Sequence, residues 1–577
     1  MHSKTSLFRG AAIGAVIAIG AGVSAQAATT HHKKVVHKKV VAHESTSSTE
    51  LAALRSEVHE LQARLDAQAA AQAQTQTQVQ QAQAQAQAAQ EQIQTAQAQD
   101  ADATAAIIQS IPTAVAAEVD KVKPKTDALY VKGVKLTLGG FVEAAGIYRE
   151  HNLASDIASP FNSVPFAQSR QGHAEELRAT ARQSRISGLA EGQVNPDLKL
   201  SAYGEFDFQG AAQTANSNQS NSFNLRTRVI YATADWENEG WHILGGDSWS
   251  LVTMNSKGIT PRNEVLPPNI DAQYNVGFVW ARQPGFRVTK DLFDKSWWLA
   301  AAVENPQTTF GGSAPAAANV ITSINSGSGF FGGDTGTLAT TTAAGVVTGV
   351  SGVAPATQSI NHVPDIIGKV ATEQDFMGHH VHGEVFGLYR SFYEQLGDFK
   401  SNNLSAGSVG GGLAAQLFPG FLDAQITGIS GKGVGRYGTS GLPDVAFTPS
   451  GKITAIQETA GMFTVTAHVT KSLDLSVIGG EEQQVRPDGG KGSYGSFTAV
   501  NTGCNIEAST LSCTGNTRSL TELTFQAWDK AYSGPWGYLR LGLEYSYVDR
   551  EAFSGVGGAP EAHDNIIMTS FRYYPFQ

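Results

Sequence analysis

Beyond its N-terminus, this 577-residue chain has no apolar run approaching the roughly 20 residues that a transmembrane helix requires, so a helical membrane domain is excluded. Charged residues make up only 16% of the sequence, and the formal net charge of −10 argues against a nucleic-acid partner. Cysteine is almost absent: Cys504 and Cys513 lie together in a polar stretch. In an exported chain, so close a pair predicts a disulfide within one loop rather than a metal site or a catalytic thiol.

The N-terminus has the order of an export signal. Lys4 and Arg9 precede an uncharged run of small and apolar residues over 11–23, which ends near Ala27 in an A-x-A cleavage site. We predict a signal peptide over residues 1–27, removed from the mature chain. The alternative is a retained membrane anchor.

A basic, polar leader follows at residues 28–49. It begins with alternating His, Lys and Val residues from His31 to Val41. We predict a solvated, disordered segment. The alternative is an arm that contacts an anionic cell-wall polymer.

Residues 50–110 carry a heptad pattern. Apolar residues from Leu51 to Leu65 alternate steps of three and four, and the register continues to Ile107, which is 56 residues or eight heptads from Leu51. This period predicts a coiled coil, although its Ala- and Gln-rich seam is weak. The alternative is a disordered Ala/Gln tract. Pro112 ends the helical pattern and opens a linker over 111–133.

From residue 134 to residue 577 the pattern becomes alternation. Leu539, Leu541 and Leu543, for example, alternate with Arg540 and Glu544. An apolar face outside and a charged face inside is typical of a transmembrane barrel with a wet lumen. A soluble sheet that buried these charges unpaired would lose several kcal/mol for each, on the order of 3–5. The aromatic C-terminal strand fits the same barrel, because its last strand must close against its first.

Short turns and long loops alternate along this region, as in outer-membrane barrels. The long loops are predicted at 149–180, 249–274, 306–362, 431–458 and 484–518. An even number of strands places both chain ends on the periplasmic side. We predict sixteen antiparallel strands, of which 275–286 is ambiguous because both its faces are apolar: 136–148, 181–190, 198–209, 223–236, 241–248, 275–286, 295–305, 363–372, 378–390, 406–417, 421–430, 459–469, 472–483, 519–529, 536–548 and 563–577.

Charged residues on the inward faces are the candidate functional residues. Guanidinium groups bind carboxylates bidentately, which suits a path for small organic acids. The alternative is that opposite charges pair across the wall and only keep the pore wet. The basic set is Arg185, Lys199, Arg226, Arg228, Lys369, Arg390 and Arg540, and the acidic lumen set is Glu143, Glu205, Asp207, Asp365 and Glu544.

Two further groups are considered. The 249–274 loop contains Lys257, Arg262, Glu264 and Asp271, which would line a constriction if the loop folds inward. His380, His382 and Glu384 share a strand face, but polar lumen residues are a better interpretation than a metal site, because no fourth ligand is evident. We therefore predict no metal and no cofactor.

Several fragments, in this order along the chain, resemble the DcaP-like outer-membrane porins. They are Ser184–Gly188, Tyr203–Phe208, Leu225–Arg226, Gly245–Ser250, Glu304–Pro306, Pro364–Asp365, Gly433–Tyr437, Gly542–Tyr545 and Arg572–Phe576. The resemblance implies a sixteen-stranded homotrimer with an N-terminal periplasmic coiled coil, passing small anions such as dicarboxylates. It also implies that Arg185, Arg226 and Arg228 belong to the anion path. The chain departs from the family in a Gly/Ala/Thr-rich insert at 311–357 and in the Gln that follows the terminal Phe576.

The sequence thus predicts a passive porin in the outer membrane of a diderm bacterium, in contact with its lipids. No nucleotide motif, plug domain or outward-facing hydrolase triad indicates energy coupling or an enzyme. The alternative function is an envelope tether, in which the barrel anchors a coiled-coil stalk to the cell wall.

Overall fold

The computed structural model describes residues 129–213, 223–315, 323–326, 337–338, 356–376, 378–396 and 400–576. Sixteen strands of one sheet form its wall: β1 Val134–Arg149, β2 in two pieces (Glu176–Thr180 and Arg185–Gln193), β3 Leu198–Gln213, β4 Phe223–Trp236, β5 Trp241–Trp249, β6 Arg282–Leu292, β7 Trp297–Glu304, β8 Asp365–Phe376, β9 His379–Gln395, β10 Ser401–Phe418, β11 Leu422–Lys432, β12 Gln457–His468, β13 Leu473–Gln484, β14 Thr517–Gly534, β15 Gly537–Ala552 and β16 Glu561–Tyr574.

The wall is a closed barrel. Each strand is antiparallel to its neighbours, and β1 pairs with β16 from Val142 opposite Tyr573 to Arg149 opposite Ile566. Closure leaves no free sheet edge, which is the condition for a sheet in hydrocarbon. The predicted fold class is confirmed for this part of the chain. The predicted signal peptide, leader, coiled coil and most of the linker lie outside the described residues.

Side chains alternate between an exposed outer face and a buried inner face. In β7 the alternation is complete from Trp297 to Glu304. In β15, Leu541 and Leu543 are 41% and 52% exposed, whereas the next residue, Glu544, is only 1% exposed. The apolar outer face therefore follows directly from the period of two in the sequence.

Exposed aromatic rings collect at the end of the barrel where the connections are short, which we call the turn end. They include Trp241, Trp297, Phe418, Trp536 and Phe576. The Tyr573 hydroxyl donates to the carbonyl of Trp536 at 2.6 Å and fixes the end of β16 to the neighbouring turn. Rings at such a boundary are typical of a membrane–water interface.

One strand prediction is wrong. The predicted strand 275–286 is displaced, because the sixth strand, β6, spans Arg282–Leu292. Val276, Phe278 and Val279 instead lie in the long connection before β6 and are at most 1% exposed. The residues of that segment are apolar on both faces because they are packed on all sides inside the barrel, not because they form a strand of its wall.

Shorter elements lie outside the wall. Leu129–Val131 pairs with the start of β1. The opposite, loop end of the barrel carries a three-stranded sheet of Phe310–Gly311, Val445–Phe447 and Ile453–Ala455. A second sheet is formed by Ser323–Ser326, Thr337–Leu338 and Ala356–Ser359. The described residues include no helix of the length and apolarity needed to cross a membrane.

Candidate functional site

Residues 250–281, which connect β5 to β6, fold into the barrel; we call them the inward loop. Leu251, Val252 and Ile259 pack with wall residues such as Phe386 and Ile367 in one buried cluster. Further along, Ile270 and Val276 join a second cluster formed with β14 to β16. Each fully buried aliphatic side chain contributes about 1.5–3 kcal/mol, so apolar burial alone gives this loop a strong preference for the wall over water.

Wall carboxylates hold the backbone of the inward loop. The N–H of Leu251 donates to Glu304 at 2.7 Å and that of Asn255 to Glu384 at 3.1 Å. Four more anchors follow: Gly258 to Glu373, Ile270 to Glu544 at 2.6 Å, Val276 to Glu522 at 2.8 Å and Gly277 to Glu482 at 2.9 Å. The acceptors lie on β7, β8, β9, β13, β14 and β15, on both sides of the barrel. The loop therefore spans the lumen, and these acids bind protein backbone rather than facing open water.

A glycine in the wall allows the inward loop to lie directly against β13. A side chain at Gly480 would overlap the carbonyl oxygen of Val276. Gly277, on the loop itself, has φ +87°, and a side chain there would overlap the carbonyl oxygen of Gly461. Only residues without Cβ allow the two backbones to approach at this point.

The predicted basic residues of β2 and β4 meet two carboxylates of β3. Arg226 binds Asp207 with two nitrogens, at 3.0 and 2.7 Å. Arg228 contacts Glu205 at 2.6 Å and Asp207 at 3.1 Å, and Arg185 lies 3.5 Å from Glu205. The Arg226 side chain is 36% exposed and that of Arg228 is 1% exposed. Of this pair, Arg226 is therefore the one that presents its charge to the lumen.

Two more arginines extend this group over aromatic rings. The Arg262 guanidinium of the inward loop lies 5.7 Å from the ring centre of Tyr203, whose hydroxyl donates to Glu205. Arg282 lies 5.2 Å from the ring centres of both Trp249 and Trp280. We call Arg185, Arg226, Arg228, Arg262 and Arg282 the arginine cluster. Arg282 was missed by the sequence analysis because the strand boundary was misplaced there.

The other predicted basic residues lie elsewhere. Lys369 is 2% exposed and binds Glu384 at 2.7 Å and the carbonyl of Thr253 at 2.8 Å. Arg390 is 1% exposed and binds Asp365 and Asp444. The prediction that these two residues line the anion path needs correction, because both are enclosed by the wall and its loops.

Lys199 and Arg540 lie near the turn end of the barrel. The Lys199 amine is 3.6 Å from Glu237, and Arg540 is 3.8 Å from Asp474 with its guanidinium over the ring of Trp528. Both side chains remain partly exposed, at 32% and 25%. They are thus at the barrel mouth rather than beside the arginine cluster.

The remaining predicted acids are structural. Glu143 of β1 binds Arg572 of β16 at 2.7 Å, across the strand pair that closes the barrel. Asp365 accepts from the Tyr437 hydroxyl at 2.7 Å and pairs with Arg390. With Glu544 anchoring the inward loop, the predicted acidic lining contributes chiefly to the cohesion of wall and loops, not to an open acidic surface.

The four predicted loop residues occupy different environments. Lys257 and Arg262 are exposed near the hairpin tip formed where Asn255 bridges to Glu264. Burial raises the pKa of Glu264. Asp271 is 2% exposed and accepts from the backbone N–H groups of Ser159 and Gln273 at 3.1 and 2.8 Å, and burial raises its pKa too.

A cavity of about 360 Å³ lies beneath the inward loop toward the turn end. It is lined by loop residues including Val265 and Leu266 and by wall residues of β9 to β12. His382, at its edge, has Glu373 2.7 Å from Nδ1 and Glu384 3.2 Å from Nε2. Both ring nitrogens of His382 are thus engaged by carboxylates.

Cys504 and Cys513 form a disulfide, nine positions apart, in the loop between β13 and β14. Near it, Gln168 of the first long loop donates to the carbonyl of Ser509 at 3.0 Å. The disulfide lies at the loop end, away from the arginine cluster.

A closed sixteen-stranded barrel with a long loop folded into its lumen defines the class: the fold of a trans-membrane porin. More particularly, the structure is similar to the outer membrane channel DcaP of Acinetobacter baumannii, with a TM-score of 0.53 and 16% identity over 77% of this chain and 99% of that one. This likeness confirms the predicted DcaP-like resemblance at the level of the fold.

Other barrels are more distant. The anion-selective porin from Comamonas acidovorans matches with a TM-score of 0.39 and 10% identity, over 76% of this chain and 99% of that one. OprB of Pseudomonas putida matches with a TM-score of 0.40 and 8% identity, over 76% and 94%. At these TM-scores the likeness supports no conclusion about this chain. No family model and no curated protein matches the sequence.

Proposed function

We propose that this protein is a passive outer-membrane channel for small hydrophilic solutes that prefers small anions such as dicarboxylates. The supporting observation is the arginine cluster beside the inward loop. Arg262 of the loop is exposed and the side chain of Arg226 of the wall is 36% exposed, while Glu205 and Asp207 beside Arg226 are bound to arginines. A solute passing the loop would meet guanidinium groups, which bind carboxylates through two parallel hydrogen bonds.

The proposal extends to location and assembly. The predicted signal peptide and the apolar outer face support an outer-membrane barrel with the turn end in the periplasm. A homotrimer with a periplasmic coiled-coil stalk is part of the proposal and is supported by the sequence resemblance. Transport through such a barrel is driven by the solute gradient alone.

Replacing Arg226 by alanine tests the proposal. At about 5 Å in a water-like dielectric, one charge changes the energy of a monovalent ion by about 0.8 kcal/mol, with opposite signs for anion and cation. The anion-to-cation permeability ratio should then fall by about 15-fold at low salt, and less at high salt, where the charge is screened. The measurement is the reversal potential of the purified channel in a planar bilayer under a salt gradient, together with the flux of succinate.

Three matched variants separate charge from structure. Arg226→Lys keeps the charge but loses the two-nitrogen contact with Asp207, so it should retain most of the selectivity. Asp207→Asn should strengthen anion preference. Arg518→Ala removes a 40% exposed arginine that pairs with Glu551 at the loop end, and it should change nothing. An unchanged reversal potential in Arg226→Ala would refute the proposed anion path.

A further inference from the structure

A second group of polar side chains lies at the loop end of the barrel, where the first and last strands meet. Glu150 and His151 directly follow β1, and His563 lies in β16. The backbone N–H of Glu150 donates to Asn565 at 3.0 Å, and that of His151 to Asp564 at 3.0 Å, across 413 positions of sequence. We call Glu150, His151 and His563 the rim cluster.

The side chains of the rim cluster converge. One ligand atom from each of the three residues lies within 4.8 Å of the other two. The two imidazole ring centres are 5.9 Å apart with planes at 60°, so the rings face a shared space rather than stacking. A zinc ion about 2.0–2.1 Å from each ligand requires them to come to roughly 3.3 Å from one another. Partly exposed side chains can make that adjustment by small rotations about their own bonds.

His151 is suited to bind a metal ion. Its Nδ1 is buried and has no hydrogen-bond partner, which is a cost unless a ligand satisfies it. The neutral imidazole is the form that ligates metals.

Neighbouring groups orient the other two ligands. His563 stacks on Tyr547 at 5.8 Å, and Asp549 lies opposite His563 in the β15–β16 register. The Asn565 amide donates to Glu150 and accepts from the Tyr545 hydroxyl at 2.6 Å. Such surrounding contacts fix the direction of metal ligands and are part of most protein metal sites.

We propose that the rim cluster binds a divalent transition-metal ion, with zinc the best match to two imidazoles and one carboxylate. Calcium and magnesium prefer an all-oxygen set and do not suit it. Three protein ligands leave a fourth position for water or a further ligand. Because the ligands come from both sides of the β1–β16 pair, the bound ion cross-links the two strands that close the barrel.

Metal titration of the full chain, purified without a histidine tag, tests the site. Zinc should raise the thermal unfolding midpoint of the wild-type barrel, and cobalt should give a visible d–d absorption band. In His563→Ala and His151→Ala the zinc affinity of this site should fall by at least about tenfold, because even the loss of a group that only orients a ligand costs that much. His379→Ala is the control, because that histidine lies at the turn end and contacts the carbonyl of Gln416 at 2.9 Å.

Imidazoles of the N-terminal leader are present in every variant, so the readout is the difference between variants. A zinc-induced shift that is equal in wild type, His563→Ala and His151→Ala would overturn the proposal. A shift with calcium as large as that with zinc would overturn the transition-metal assignment. Should His563→Ala not fold, Glu150→Gln leaves the backbone contacts intact, and it should also weaken zinc binding.

Discussion

The carboxylate of Glu544 has a measurable role in keeping the inward loop against the wall. Glu544 accepts from the N–H groups of Ile270 at 2.6 Å and Asp271 at 3.3 Å, and from the Gln526 amide at 2.9 Å. Hydrogen bonds to a charged group contribute about 1.5–3 kcal/mol each. Only the bonds from Ile270 and Asp271 hold the loop, and the shorter one, from Ile270, contributes about 1.5–3 kcal/mol before the cost of burying the carboxylate is subtracted.

Replacing Glu544 by alanine should release the second half of the inward loop without unfolding the barrel. The freed N–H groups can be hydrated in the lumen, so the lost energy appears as loop movement rather than loss of the wall. We expect a larger single-channel conductance, more open-channel noise and faster protease cleavage within residues 266–274. Glu544→Gln, which keeps one acceptor oxygen, should show a smaller effect.

Glu551→Ala is the matched control, because Glu551 is also on β15 but pairs with Arg518 at 2.8 Å outside the lumen. If Glu544→Ala has the conductance, noise and protease pattern of wild type, the carboxylate does not anchor the loop. If instead the barrel fails to assemble, the separation of loop and wall assumed above is wrong.

Three further outcomes follow from the loops. Because burial raises the pKa of Glu264, this group takes up a proton at a higher pH than an exposed glutamate does. Anion preference, measured by reversal potential, should rise as pH falls, and Glu264→Gln should weaken that dependence. The raised pKa of Asp271 means that its contribution to stability is present below its unfolded pKa, about 3.9, and is lost as pH rises through the folded value. Asp271→Asn keeps Oδ1, which accepts both backbone hydrogen bonds, but removes the group that titrates. The thermal unfolding midpoint of this variant should therefore fall less between acid and neutral pH than that of the wild type. The Cys504–Cys513 disulfide closes a ring across nine positions, which constrains the unfolded chain by about 3 kcal/mol; the double serine variant should be cut faster by protease in that loop, with conductance unchanged.

The barrel wall could be predicted from the sequence because lipid imposes a simple rule. The residues of every strand must alternate between lipid and lumen. The faces of Leu541, Leu543 and Glu544 can therefore be assigned without knowing which strands lie beside them. The predicted strand 223–236 has the bounds of β4, Phe223–Trp236. Pairing of each strand with the next along the chain then leaves little freedom in the topology.

The inward loop could not be predicted in the same way. Its direction depends on hydrogen bonds between its backbone and wall carboxylates. Because every residue except proline has a backbone N–H, the sequence does not show which of them will bind a carboxylate. Glu544 looks from sequence like any lumen acid, and Lys369 like any lumen base, yet one anchors the loop and the other is enclosed beneath it. The rim cluster is equally hidden, because His151 and His563 become neighbours only when the barrel closes.

The anchors of the inward loop also determine the order in which the protein can be assembled. The N–H of Val276 can bind Glu522 only once that residue, 246 positions later in the chain, is in place. The N–H of Ile270 likewise needs Glu544, 274 positions later. Contacts between such distant positions form late in folding, because long loops have to close first. The half of the loop that binds β7 to β9 can therefore dock early, whereas the half that binds β13 to β15 docks only once the last strands are in place. An agent that holds β14 and β15 away from the wall would therefore do two things: it would leave the sheet open, and it would leave the second half of the loop without the carboxylates that bind it.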